Sequence, residues 1–118
     1  MRYVDIDTMV GKTFTKVWST DDTMVFENAV ERYTFYHRQD CCETVGIEDI
    51  NGDLEDLENL PLLMAREVSG ETGDDHGAES YTWTFYKFAT FKGYVDVRWL
   101  GTSNGYYSES VDLEYSKV

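Results

Sequence analysis

Two stretches of alternating side chains joined by a tight turn constrain this chain more than anything else in it. Trp83 to Thr90 and Tyr94 to Leu100 interleave aromatic and β-branched residues with polar ones, and Phe91-Lys92-Gly93 between them reads as the reversal of a long antiparallel hairpin. The pleat of a strand then puts Val95, Val97 and Trp99 on one face and Tyr94, Asp96, Arg98 and Leu100 on the other, wetter one. Between Ser80 and Ser108 lie Tyr81, Trp83, Phe85, Tyr86, Phe88, Phe91, Tyr94, Trp99, Tyr106 and Tyr107, ten of the eighteen aromatics (three Trp, nine Tyr, six Phe). The same segment carries Lys87, Lys92 and Arg98 against the single acid Asp96, a basic, ring-rich island in a protein of net charge −13.

Strand signals dominate elsewhere too. Thr13 to Trp18 alternates Phe14 and the aliphatic part of Lys16 against Thr13, Thr15 and Val17, and Met24 to Phe26 and Tyr33 to His37 continue an antiparallel meander after the Ser19-Thr20-Asp21-Asp22 turn. Asn51-Gly52 closes another extended segment. Asp53 is a good N-cap, with Asp56 placed to reach back to free amides, for a helix of about two turns that carries Leu54, Leu57 and Leu60 on one face before Pro61 stops it. Leu62 to Val68 reads as a further strand, Ser69 to Gly77 as a mobile loop, Gly101 to Gly105 as a second turn, and Val111 to Tyr115 as the last strand. At 118 residues the chain is one domain, 1–118, with enough length for its own core. The expected class is mainly β (α+β): a curved antiparallel sheet or partly closed barrel of about six or seven strands with one short helix.

Charge narrows the partners. From Asp40 to Glu79 thirteen acids face one base, Arg66, which accounts for nearly all of the imbalance. Such a chain repels nucleic-acid phosphates at long range, so direct duplex binding is not expected. The acidic segment is either a solvated face that keeps a small protein in solution or a phosphate-like surface offered to a basic partner. No apolar run approaches the ~20 residues of a membrane span, and the N-terminus has no secretory pattern. Cys41 and Cys42 are adjacent, which permits only a vicinal bridge and suits reduced thiols.

Catalytic signatures are missing: no phosphate loop, zinc-protease helix, nucleophile elbow or dinucleotide fingerprint occurs. Only His37 and His76 titrate near neutrality. His37 with Cys41, Cys42 and Glu43 has a metal-like or cysteine-nucleophile spacing, but neighbouring cysteines on a strand point to opposite faces, and a buried small thiol is the commoner explanation. Asp49 to Glu55 imitates a calcium loop, yet its glycine comes too early and Leu60 stands where the bidentate glutamate belongs. No metal and no cofactor is expected.

One binding motif remains. Asn104-Gly105 favours positive φ, which can turn successive amides into an anion-holding concavity beside Ser103. Tyr86, Tyr106 and Tyr107 offer rings for a base, and Arg98 and Lys87 offer charge for a phosphate. The competing explanation is a plain hairpin turn with the aromatics packed inside a small β domain.

The succession Asp40-Cys41-Cys42-Glu43, Ile47-Glu48-Asp49-Ile50 followed by Gly52-Asp53-Leu54, Trp83-Thr84-Phe85-Tyr86-Lys87, Arg98-Trp99 and Ser103-Asn104-Gly105-Tyr106-Tyr107-Ser108 resembles a family of short bacteriophage and prophage proteins without assigned function. The resemblance spans roughly Val10 to Val111. It implies a non-virion accessory role against host machinery, in the host cytoplasm.

Two functions compete on these grounds. In the first, the protein sequesters a small anionic nucleotide signal of bacterial immunity without breaking a bond, on Tyr86, Lys87, Arg98, Ser103, Asn104, Gly105, Tyr106 and Tyr107. In the second, the acidic region imitates a nucleic-acid backbone and occupies the groove of a basic host protein. A nucleotide-degrading enzyme using His37 or Cys41 stands third. Partly exposed aromatic strands also favour a homodimer with the pocket near its interface.

Overall fold

The computed structural model describes residues 2–75 and 79–118. Its strands are β1 (Arg2–Tyr3), β2 (Lys16–Ser19), β3 (Met24–Glu27), β4 (Glu31–Tyr36), β5 (Thr44–Asn51), β6 (Met64–Asp75), β7 (Glu79–Thr90), β8 (Gly93–Ser103) and β9 (Asp112–Lys117). They form two antiparallel sheets, five-stranded β1-β9-β4-β3-β2 and four-stranded β5-β8-β7-β6. The mainly β, antiparallel class is as expected. The strands divide between two sheets instead of sharing one, and they do not close into a barrel.

The predicted hairpin is the spine of the four-stranded sheet. β7 and β8 pair from Ser80↔Ser103 to Thr90↔Gly93, leaving Phe91 and Lys92 as the turn. Val95, Val97 and Trp99 are buried, whereas Tyr94, Asp96 and Arg98 are exposed. From β7 come the inward-facing Thr84, Tyr86 and Phe88, which meet Phe26 and Phe35 of the other sheet: Phe26–Phe88 centroids lie 4.8 Å apart and Phe35–Tyr86 4.9 Å apart. Phe14 joins the same core edge-on to Phe26 and Tyr33. Ring pairs in this range add specific geometry to the burial that drives sheet-on-sheet packing.

Several local expectations give way. Phe14 and Val17 are both buried although three residues apart, so Thr13 to Trp18 is not one alternating strand; β2 begins only at Lys16, after Thr13 makes an isolated bridge to Pro61. The helix after Asp53 is a single 3-10 turn, Leu54–Leu57, whose Glu55 amide donates to the Asp53 side chain (3.0 Å). Four residues suffice because Leu57, fully buried, and the half-buried Leu54 anchor it. Of the supposed loop from Ser69 to Gly77, residues Ser69 to Asp75 belong to β6: a register shift between Ser69 and Thr72 lets pairing with β7 continue to Asp75↔Glu79. His76 and Gly77 lie outside the described residues. Gly101 to Ser103 likewise continue β8 and do not open a turn.

β5 contains one extra residue. Ile47 pairs with Trp99 but Asp49 pairs with Arg98, so Glu48 is bulged out. The bulge resets the pleat: Ile47 and Ile50 both reach the core, and Asp49 and Asn51 face outward. Gly52, at φ +120, follows at once, and a Cβ there would sit 2.6 Å from the Tyr94 carbonyl.

Candidate functional site

The eight residues expected to make one pocket occupy three places. Tyr86 is only 2% exposed and packs in the core. Burial, then the Glu67 carboxylate, raises its phenol above the ordinary value, so it stays a neutral donor. Lys87 and Arg98 project from the opposite, outer face of the four-stranded sheet. Ser103, Asn104, Gly105, Tyr106 and Tyr107 lie at the far end of β8; Ser103 is five steps along the strand from Arg98, about 17 Å.

At that end two successive amides are already engaged. Gly105 has φ +93, as the Asn-Gly pair suggested, but its amide donates to Ser103 Oγ (2.9 Å) and the Tyr106 amide donates to Asn104 Oδ1 (3.0 Å). Glu109 sits behind the loop, 9% exposed, and accepts from the hydroxyls of Ser103 (2.5 Å), Thr82 (2.8 Å) and Ser80. Burial alone would raise this carboxyl; the three hydroxyls outweigh it and keep the group below its ordinary value. Gly101 lets the Glu109 backbone close onto β8, since any Cβ there would fall inside contact distance of the Glu109 carbonyl. The arrangement staples a loop to the sheet, and its fixed negative charge opposes an anion. Tyr106 is 83% exposed, edge-on to Tyr107.

The outer face of the four-stranded sheet is different. Along β7 the pleat lines up Tyr81, Trp83, Phe85 and Lys87, with Leu100 and Arg98 beside Trp83 and Phe85 on β8, and Val68 beside Phe85 on β6. The rings of Trp83 and Phe85 are parallel within 3° at 6.4 Å between centroids. The Arg98 guanidinium stands 5.2 Å over the Trp83 ring, a cation–π contact. Arg98 is half-exposed and only 3.9 Å from Asp49; Lys87 is equally distant from Asp96. Exposed pairs this loose contribute little, so each cation can exchange its partner readily. Two shallow hollows flank the row, about 290 Å³ between Arg98, Lys87, Asp49 and Phe85, and about 310 Å³ between Trp83, Tyr81 and Leu100. Sequence reading found the two cations but assigned Trp83 and Phe85 no part. Their spacing of two on a strand already put them on Lys87's face, away from Tyr86.

The His37 region forms a separate unit. His37 Nδ1 donates to the Ser110 carbonyl (2.7 Å) and Nε2 to Glu43 (2.8 Å), with both side chains buried. Glu43 also accepts from the amides of Asp40 (2.9 Å) and Cys41 (2.8 Å). The His37 bond, opposed by burial and aided by those amides, lowers Glu43 to about 2. Both imidazole nitrogens are thus occupied and neither is free to act as a base. Cys41 and Cys42 are bonded to each other, where reduced thiols were expected. Among the described residues no three His, Cys, Asp or Glu side chains gather as a metal site, and no helix is long and apolar enough to cross a membrane.

No curated protein and no solved structure matches the chain. Residues 7–113 match a family described as a domain of unknown function, DUF7448, and the chain belongs to that family.

Proposed function

We propose that the outer face of the four-stranded sheet captures a small nucleotide without transforming it. The observation that supports this reading best is the parallel, half-buried Trp83–Phe85 pair with the Arg98 guanidinium standing over Trp83. A base laid on these rings gains roughly 1–3 kcal/mol from stacking, whatever its identity. Arg98 offers a planar fork to a phosphate and Lys87 a second charge, while Asp49 and Asn51, paired with Arg98 and Asp96 across β5 and β8, can accept from and donate to ribose hydroxyls. The net charge of −13 does not forbid an anion here. Screening confines most of that field to ~8 Å at physiological salt, and two cations lie within direct reach. Together with the resemblance to bacteriophage proteins drawn from the sequence, the reading becomes one of counter-defence: removal of a nucleotide immune signal in the host cytoplasm.

The test is a melting-temperature series with cyclic mono- and dinucleotides and ADP-ribose derivatives, in which a binder raises the midpoint with its concentration. Trp83→Ala and Arg98→Gln should each remove the rise at ligand concentrations just above the dissociation constant of the unaltered chain. A rise that survives both variants, or no rise across the series, rejects the reading.

The alternative, an acidic mimic that occupies a basic host protein, draws support from one arrangement. The Ile47 amide donates to the Asp21 carbonyl (2.7 Å), which brings the exposed Asp21 and Asp22 beside Glu48 and Asp49 at the β5 edge, with Asp53 and Glu55 following. Capture of a basic partner that collapses with salt and with Glu48→Gln, Asp53→Asn and Glu55→Gln combined would favour it over nucleotide capture.

A further inference from the structure

A second concavity lies on the opposite side of the four-stranded sheet from the ring row. The two sheets diverge where the 3-10 turn Ile6–Met9 packs along β6, and an open cleft of about 440 Å³ is left between β7 and β9. Ligand pockets of ~300–1,000 Å³ with apolar walls and a few polar groups are of the size that holds small molecules. The walls here are Val4, Ile6, Ala65, Val111 and Leu113, and Phe35 and Tyr86 form the floor.

The polar groups have one dominant sign. Asp5, Asp7 and Glu67 line the cleft, and Arg66 borders it from β6 with the outward parity of its register partner Lys87. Glu67 is the register partner of Tyr86, so it stands on the inner face of the β6 edge, where an apolar residue would ordinarily extend the core. Asp5 and Asp7 bracket the half-buried Ile6 on the facing segment. A low-dielectric recess rimmed by carboxylates focuses their field and concentrates cations within it.

We propose that this cleft binds a small organic amine, its apolar body between Val111, Leu113 and Ala65 and its ammonium on Glu67 and Asp5. The Tyr86 hydroxyl, beside Glu67 at the floor, gives the ammonium a further acceptor oxygen. The site is independent of the outer face: it uses the opposite side of β7 and charge of the opposite sign.

Tryptamine and its neutral alcohol isostere tryptophol test this on the full chain, by calorimetry and by amide chemical-shift mapping. Tryptamine should bind with shifts confined to Val4–Asp7, Phe35, Ala65–Glu67, Val111–Leu113 and the β7 residues around Tyr86. Tryptophol should bind at least about tenfold more weakly, as the loss of a charged hydrogen bond implies. Asp5→Asn with Glu67→Gln, both at exposed positions, should weaken tryptamine by about tenfold and leave tryptophol unchanged, and Val111→Trp should fill the cleft and abolish both. Trp83→Ala should alter neither. Equal affinity for the two compounds, no binding of tryptamine, shifts centred elsewhere, or loss of binding in Trp83→Ala would each overturn the proposal, the last by merging this site with the outer face.

Discussion

The outer faces of the two sheets are made of the same strands-and-turns chemistry and have been put to opposite uses. On the five-stranded sheet the outer face is a solvated ladder: Lys16, Glu27, Arg32 and Ser116 fall in register across β2, β3, β4 and β9, and Arg32 holds Glu27 at 2.8 Å. Its rings are dispersed: Trp18, 37% exposed, stands opposite the buried Val25, and Tyr3 and Tyr36 meet through their hydroxyls at the other side of the sheet. On the four-stranded sheet the equivalent positions of β7 carry Tyr81, Trp83 and Phe85 in succession, with cations that are held loosely. A surface that only had to meet water would look like the first. The second retains rings in partial contact with solvent, which is the composition of a surface that meets something else.

Phe88→Ala sharpens the contrast most. Removing this fully buried ring should cost about 3–5 kcal/mol of stability in urea unfolding, whereas Phe85→Ala, three positions away on the outer face, should cost about 1 kcal/mol or less. Equal losses would mean that the outer row is structural. Glu109→Ala should follow at about 1–3 kcal/mol, because Ser80, Thr82 and Ser103 lose their common acceptor. In nucleotide titrations Trp83→Ala should weaken affinity by roughly ten- to a hundredfold and Trp18→Ala not at all, which separates the two outer faces directly.

The acid limb of stability is a further test. Glu43 is held at about 2 against 4.5 for the unreacted carboxyl, a depressed value, so its contribution is complete above pH 4.5 and disappears as pH falls toward 2. Glu43→Gln should flatten the loss of melting temperature across that window. The smallest effect belongs to Trp99→Phe. Trp99 Nε1 is buried without a hydrogen-bond partner among the described residues, so removing that N–H offsets the lost ring area and stability should change by about 1 kcal/mol or less.

Legibility in the sequence tracked the distance over which the governing contact acts. The β7–β8 hairpin, the inward Val95-Val97-Trp99 row and the Asp53 cap were readable because neighbouring residues determine them. The division into two sheets was not, since β4 pairs with β9 across most of the chain, at Glu31↔Lys117 and onward to Tyr36↔Asp112. The continuation of β6 past Ser69 was hidden for a related reason: Gly70 falls in the register shift, Gly73 is tolerated because β7 supplies its pairing, and a Cβ at Gly73 would crowd the Tyr81 hydroxyl at 3.0 Å. Of the site, Lys87 and Arg98 were legible as cations on a wet face. Tyr86 was misassigned because rings in a row were treated as equivalent, although strand parity separates it from Phe85 and Lys87. The charge behind the Asn104-Gly105 turn was hidden for want of long-range information, as nothing near Asn104 in sequence announces Glu109 folding in behind it. Ile47 and Ile50, three apart and both apolar, were the one overlooked local signal of the bulge.

That spare residue in β5 sets a rule for variation. Removing Glu48 would leave Ile47, Asp49, Ile50 and Asn51 in simple alternation against Trp99, Arg98, Val97 and Asp96, with both isoleucines still inward and Asp49 still facing its guanidinium. Glu48 is therefore the position at which β5 can lose a residue with its pairing intact, and its exposed side chain is free to become almost anything polar. A saturation library that tolerated every replacement at this position yet rejected its deletion would reveal a residue kept for its backbone alone.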